Sequence, residues 1–269
     1  MAGGPCYGLK QSSACVREDE RIDYGHATLI EERLEMRFRW LLSSVLVVSA
    51  FAVMAACGGD DGEPMDEEAR GLLEQAVLTV DDLPAGLQRA SASFSTNKDV
   101  AEAQLNPGEE LAKLERWGRR LGYDVAFELL PDAPPDLLIR GVQSTASLYD
   151  TSQGASESFA DGVSSARAMD WEAGYPELTQ LEVTEIDRPD IGDGVFWMRA
   201  SGFQSLQQGE ALLVDDQVAL RVGSVRAFLR VVTVFEGGTD RTVYMDEVEQ
   251  WARLVSERIA EVLGADAEA

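Results

Sequence analysis

QVALRVGSVRAFLRVVTVF, residues 217 to 235, carries the reading of the fold. Two runs rich in β-branched and apolar residues meet at Gly223-Ser224, and glycine at the first central position suits a two-residue type II′ turn. The stretch therefore predicts an antiparallel hairpin. With that turn Val222 opposes Val225 and Arg221 opposes Arg226, while Arg230 shares the Arg226 face by the two-residue period of a strand. Upstream, residues 195–200, 178–186, 137–149, 123–130 and 87–94 read as further strands, separated by turn-forming clusters at 131–135 and 189–194. Helices are predicted at 67–77, on Leu72, Leu73 and Ala76, and at 108–121, where Pro107 opens the segment, Leu111, Leu114, Trp117 and Leu121 share a face and Gly122 closes it. A third, at 154–169, has the stripe Phe159, Val163 and Ala166 behind a cap at Thr151 or Ser152. Met245, Val248, Trp251, Ala252, Val255, Ile259 and Val262 predict a long amphipathic helix at the C-terminal end. Hairpins with helices before, between and after them indicate an α+β domain, an antiparallel sheet with helices packed on one face.

Ahead of this domain stands MRFRWLLSSVLVVSAFAVMAAC, residues 36 to 57. Arg37 and Arg39 precede an apolar run, Leu41 to Met54, and Ala55 and Ala56 are small residues before Cys57, the layout of a secretory signal peptide. The apolar run is shorter than the roughly 20 residues a helix needs to cross a bilayer. Residues 57–66 are glycine-rich and acidic, the composition of a flexible tether, and 67–269 form a single domain. A signal of this kind ordinarily starts a chain, so residues 1–35 are read as the product of a start codon placed too early, with Met36 the first residue.

The Met54-Ala55-Ala56-Cys57 ending resembles the lipobox of bacterial lipoprotein precursors, with Met where Leu is usual. The resemblance implies cleavage between Ala56 and Cys57, a diacylglyceryl group on the Cys57 thiol, acylation of the new amino terminus and a place on the outer face of a cell membrane. The domain itself resembles uncharacterised extracytoplasmic lipoprotein and sensor domains in LYDTSQGASESFA, residues 148 to 160, and in the Gly192-Asp193-Gly194 turn.

Composition excludes several chemistries. The chain has 48 Asp and Glu against 23 Lys and Arg, a net charge of −25, which repels phosphate backbones, so nucleic acid is not an expected partner. Its one histidine, His26, and two of its three cysteines, Cys6 and Cys15, lie upstream of the signal. Residues 57–269 therefore lack the parts for Ser-His-Asp or Cys-His catalysis, for a Cys/His zinc site and for an internal disulfide. No catalytic, cofactor or metal residues are assigned.

Three patterns bear on a site. Ser95-Thr96-Asn97-Lys98 matches Ser-x-x-Lys, but neither Ser-Asp-Asn nor Lys-Thr-Gly accompanies it, and the segment reads as a helix start. Asp187, Asp190 and Asp193 lack the spacing of a calcium loop and read as a turn. The arginines are more informative. Arg221 facing Arg226 is unfavourable unless something acidic covers them, with Arg230 on the same face and Arg199 able to join from a neighbouring strand. The cover is either the chain's own Asp and Glu or an anionic ligand held by arginine forks. Trp117, Trp171, Trp197 and Trp251 either line that pocket or, as spacing favours, fill the core.

The function expected is a non-catalytic binding or sensing module, lipid-anchored through Cys57 on the extracytoplasmic side, taking a small anion at Arg199, Arg221, Arg226 and Arg230 and needing no cofactor. An assembly role against other envelope proteins is the alternative, and a carboxylate-dependent hydrolase the third reading.

Overall fold

Seven strands form one fully antiparallel sheet in the order β1-β2-β3-β7-β6-β5-β4. The strands are β1 (Leu87–Ser95), β2 (Arg119–Leu129), β3 (Ile139–Tyr149), β4 (Leu178–Ile186), β5 (Gly194–Leu206), β6 (Gly209–Val222) and β7 (Val225–Glu236). Among the described residues six α-helices accompany them: α1 (Glu67–Gln75), α2 (Asn97–Glu102), α3 (Pro107–Arg116), α4 (Ser152–Arg167), α5 (Trp171–Gly174) and α6 (Thr242–Asp266). The structure, a computed structural model, describes residues 67–134, 136–187, 190–206, 209–236 and 242–266. The signal segment, Cys57, the tether and residues 1–35 lie outside the described residues. No described helix is long and apolar enough to cross a membrane.

The hairpin that anchors the sequence reading forms in the expected register, with Val222 opposite Val225, Arg221 opposite Arg226 and Gln217 opposite Arg230. Gly223 takes φ 54, the positive value that the first central position of the turn demands. β3 then pairs with β7 from the other side, and this central trio supplies most of the sheet's interior.

The α+β class, the antiparallel sheet and the long C-terminal helix are as expected, but the helices occupy both faces instead of one. Leu121, Val125, Val142, Ala146, Val218, Leu220, Leu229 and Val231 project to one side, where α1 and α6 cover them through Leu72, Leu73, Val248, Val255 and Ile259. The intervening residues Phe196, Met198, Ala200 and Ala219 project to the other side and pack under α4 and α5 with Phe159, Val163 and Trp171. Strands apolar on both sides need cover on both sides. At the sheet edges, β1 is bulged between Arg89 and Ser91 and β4 between Thr179 and Glu182, irregularities that spoil a template for edge-to-edge pairing.

One helix is shorter than its periodicity suggests. α3 stops at Arg116, and Gly118, not Gly122, makes the break with φ 66. Leu121 and Gly122 already belong to β2, which opens with a bulge between Arg119 and Leu121. That bulge turns Arg119 to the face opposite Leu121, beside its partner Tyr149.

Candidate functional site

The middle of the α4 face is polar. Along β2, β3, β7 and β6 the residues facing α4 include Asp124, Gln143, Thr145, Ser147, Arg226, Arg230, Asp215 and Gln217, whereas toward β5 the same face turns apolar. Between this floor, α4 and the α2–α3 pair lies a cavity of about 230 Å³. Leu114, Trp117, Phe196, Met198 and Phe228 contribute apolar wall, and Arg119, Arg226, Asp124, Ser147, Ser158 and Gln217 contribute polar groups.

Each sequence-selected arginine has a defined place. Arg230 donates Nε and Nη2 to Asp215, the shorter contact at 2.6 Å, and the same carboxylate accepts the Tyr175 hydroxyl at 2.6 Å. Burial would lower the Arg230 guanidinium, but the Asp215 charge and hydrogen bonds outweigh it and hold the group above its usual range. Arg199 lies on the opposite face, against Asp216, with bonds of 3.0 and 2.9 Å, so it does not join the others. Trp197 Nε1 donates to the same Asp216 carboxylate at 2.5 Å. Arg221 pairs with Asp193 at 3.2 Å. Three of the four are thus saturated by the chain's own acids, and for Arg199, Arg221 and Arg230 an anionic ligand is replaced by Asp216, Asp193 and Asp215.

Arg226 is different. Its Nη1 donates to the Ser158 carbonyl at 3.3 Å and to Ser158 Oγ at 3.1 Å, and no carboxylate among the described residues reaches it. The half-buried guanidinium fits under α4 because residue 162 is glycine: a Cβ there would lie 2.5 Å from Arg226 Nη2.

A second cation in the cavity escaped the sequence reading. Arg119 is 5% exposed and is also held entirely by neutral acceptors: Ser147 Oγ at 3.3 Å, Ser95 O at 3.2 Å, Ser95 Oγ at 2.9 Å and Asn97 Oδ1 at 3.1 Å. Its guanidinium lies over Gly122, in space that any side chain there would fill. Burial pushes Arg119 down to about 10, and the positive charge of Arg226 adds to the shift. The signal that would have found Arg119 is the pair Gly118 and Gly122 around it, a helix stop and a strand glycine, which the helical spacing of Leu114, Trp117 and Leu121 conceals.

The cavity's acids are occupied elsewhere. Asp124 accepts from Gln143 at 2.7 Å, and burial raises its carboxyl above the ordinary range. Glu110 on α3 and Asp161 on α4 share Lys113, at 3.2 and 3.0 Å. Burial alone would lower the Lys113 ammonium, yet its hydrogen bonds to these two carboxylates keep it above its usual range.

The remaining sequence candidates settle into structural roles. Thr96 caps α2, accepting from the Asp99 amide, and exposed Lys98 pairs with Glu102, so Ser95 has no lysine beside it. Asp193 accepts from Arg221 and the Gly223 amide, bracing the β6–β7 turn. Trp171, Trp197 and Trp251 belong to the core; Trp117 packs in a third cluster with Val100, Leu114, Tyr149 and Ala155, and it alone of the four borders the cavity.

No family model matches the chain, and no curated protein matches it. Among solved structures, the extracellular domain of PknH from Mycobacterium tuberculosis is similar over 74% of this chain and 98% of its own, at 10% identity and a TM-score of 0.43.

Proposed function

We propose that this chain is a non-catalytic binding module, anchored on the outer face of a cell membrane by lipid on Cys57 and offering the cavity under α4 to a small molecule. The observation that carries the reading is the cavity itself, where polar side chains from β2, β3, β6, β7 and α4 converge opposite an apolar wall, the usual composition of a ligand pocket. The anchor rests on the signal-like segment and its cysteine.

The assembly reading is less well supported. A docking face between proteins requires a contiguous apolar patch, and among the described residues the exposed large apolar side chains are Val80 and Leu105. The hydrolase reading requires two carboxylates flanking a space for substrate or water. Glu110 and Asp161 do approach each other at the cavity, but the Lys113 ammonium fills the gap between them.

Native mass spectrometry of the full chain, extracted in mild detergent from membranes of the cell that makes it, tests both halves. The expected result is an acylated Cys57 at the amino terminus and a non-covalent small molecule released on activation. An unmodified Cys57 overturns the anchor, and a chain that carries and accepts no small molecule overturns the binding module.

A further inference from the structure

The cavity is lined by two guanidinium groups, Arg119 and Arg226, neither paired with a carboxylate among the described residues, and the acids that border it, Asp124, Glu110 and Asp161, are already engaged. In a chain with 48 acidic residues a lack of partners is not a matter of supply. The same sheet face shows the alternative a few residues away, where Arg230 and Arg221 each have a carboxylate in hand. Leaving a buried or half-buried cation with neutral acceptors alone is costly, because the charge loses water without gaining a counter-ion. Resting on the reading of this cavity as a binding site, we infer that it is built for an oxyanion, a carboxylate or phosphate group seated between Arg119 and Arg226.

The hydrogen-bonding inventory agrees. Arg226 spends Nη1 on Ser158 and leaves its Nε–Nη2 edge without an acceptor among the described residues, and that edge is the fork that takes two oxygens of one anion at once. Arg119 has its Nε and Nη1 donors committed and one Nη2 hydrogen left beyond its bond to Ser95 Oγ. Gly122 and Gly162 keep both guanidiniums clear of Cβ atoms, one over the strand and one under the helix. At physiological salt the screening length is about 8 Å, so the acidic exterior does not cancel a field set up by two cations inside. The apolar wall from Trp117 to Phe228 and the volume of about 230 Å³ leave room for a ligand larger than a bare ion, with its charged end on the arginines.

Calorimetric titration of the full chain with inorganic phosphate and, separately, with acetate, at constant ionic strength set by chloride, tests the inference. The expected result is saturable one-to-one binding of at least one of the two. Preference for phosphate assigns a phosphoryl ligand, and preference for acetate a carboxylate. Arg226→Gln should weaken that binding about tenfold or more, the equivalent of one charge-assisted bond. Gly162→Ala, which crowds Arg226 without removing charge, should weaken it too. Arg221→Gln removes the same charge from the same face but from a guanidinium already paired with Asp193, and should leave binding within about twofold. No binding of either anion overturns the inference, as does equal weakening by Arg226→Gln and Arg221→Gln, which would reduce the effect to net charge. If the anions fail while the native protein carries a neutral small molecule, the oxyanion falls and the binding module stands; if neither binds, both fall.

Discussion

Asp215 and Asp216 are consecutive, both have zero exposure, and the pleat of β6 sends them to opposite faces of the sheet. Each meets its own arginine, Arg230 on the α4 face and Arg199 on the α6 face, so two buried ion pairs cross one point of the backbone. Asp216→Asn leaves Arg199 without a counter-ion and should destabilise the chain by about 3–5 kcal/mol in chemical denaturation, whereas Asp216→Leu with Arg199→Met should recover most of that loss, since an apolar pair needs no desolvation to be offset. A second acid offers a pH test. Burial would raise Asp82, but hydrogen bonds from Arg258 and from the amide and hydroxyl of Thr79 outweigh it and hold the carboxyl below its ordinary value. The folded chain then keeps this carboxylate ionised at pH values where the unfolded chain takes up the proton, so the stabilisation is complete above the ordinary carboxylate range and lost as pH falls through the lower folded value. Asp82→Asn should cost about 2 kcal/mol at pH 7, and its denaturation midpoint should converge on that of the unaltered chain on acidification. At this scale the arginines were legible in the sequence because a two-residue turn determines who faces whom. Their acids were not, because the strand read from the sequence begins at Gln217, whereas β6 begins at Gly209 and its pleat gives Asp215 and Asp216 a cation each on opposite faces, and Arg119 was hidden by a bulge that no periodicity encodes.

Helix α4 closes the cavity, and glycine sets its height at two points. Gly154, in its first turn, lies so close to the Trp117 carbonyl that a Cβ would collide with it, and Gly162 gives the same clearance to Arg226. Gly154→Ala should therefore lower stability by about 1–3 kcal/mol through overpacking of backbone against side chain. Gly71→Ala in α1, where a Cβ would meet nothing within 4 Å, should instead be neutral or stabilise by up to about 1 kcal/mol, because only the helical entropy changes. Thermal denaturation of the two variants side by side distinguishes contact from propensity. Element by element, the strands with strong β-branched runs were legible, as were α4 with its Thr151 cap and the long α6. α5, a single turn at Trp171–Gly174, carries no periodicity to read. The misplaced end of α3 came from a spacing that runs on past the helix, since Leu111 and Leu114 belong to the helix, Trp117 is its C-cap and Leu121 belongs to the strand that follows. The second helical layer was present in the pattern as Phe196, Met198 and Ala219, apolar on the supposed outer face, but an antiparallel sheet is so often solvated on one side that the arrangement itself is needed to decide.

For the whole molecule, charge and the proposed anchor pull in opposite directions. A chain with net charge −25 is repelled by anionic head groups, so the attachment proposed above would have to come from lipid on Cys57 and not from the charge of the protein. On that proposal two acyl chains would supply it, at about 0.8 kcal/mol for each buried methylene, an affinity that salt would not touch because it owes nothing to charge. The two contributions can therefore be separated. In cells that make and process the full chain, high-salt and alkaline washes should leave it in the membrane fraction, while Cys57→Ser should move it to the soluble fraction of the exterior or leave it as an unprocessed precursor carrying residues 36 to 56. A Cys57→Ser protein that is processed and still sediments with membranes would mean that the domain holds the surface by itself, against its own charge. That would locate a membrane-binding face on the described domain and displace the anchor from the proposal, whereas release would leave the lipid on Cys57 as the proposed source of attachment.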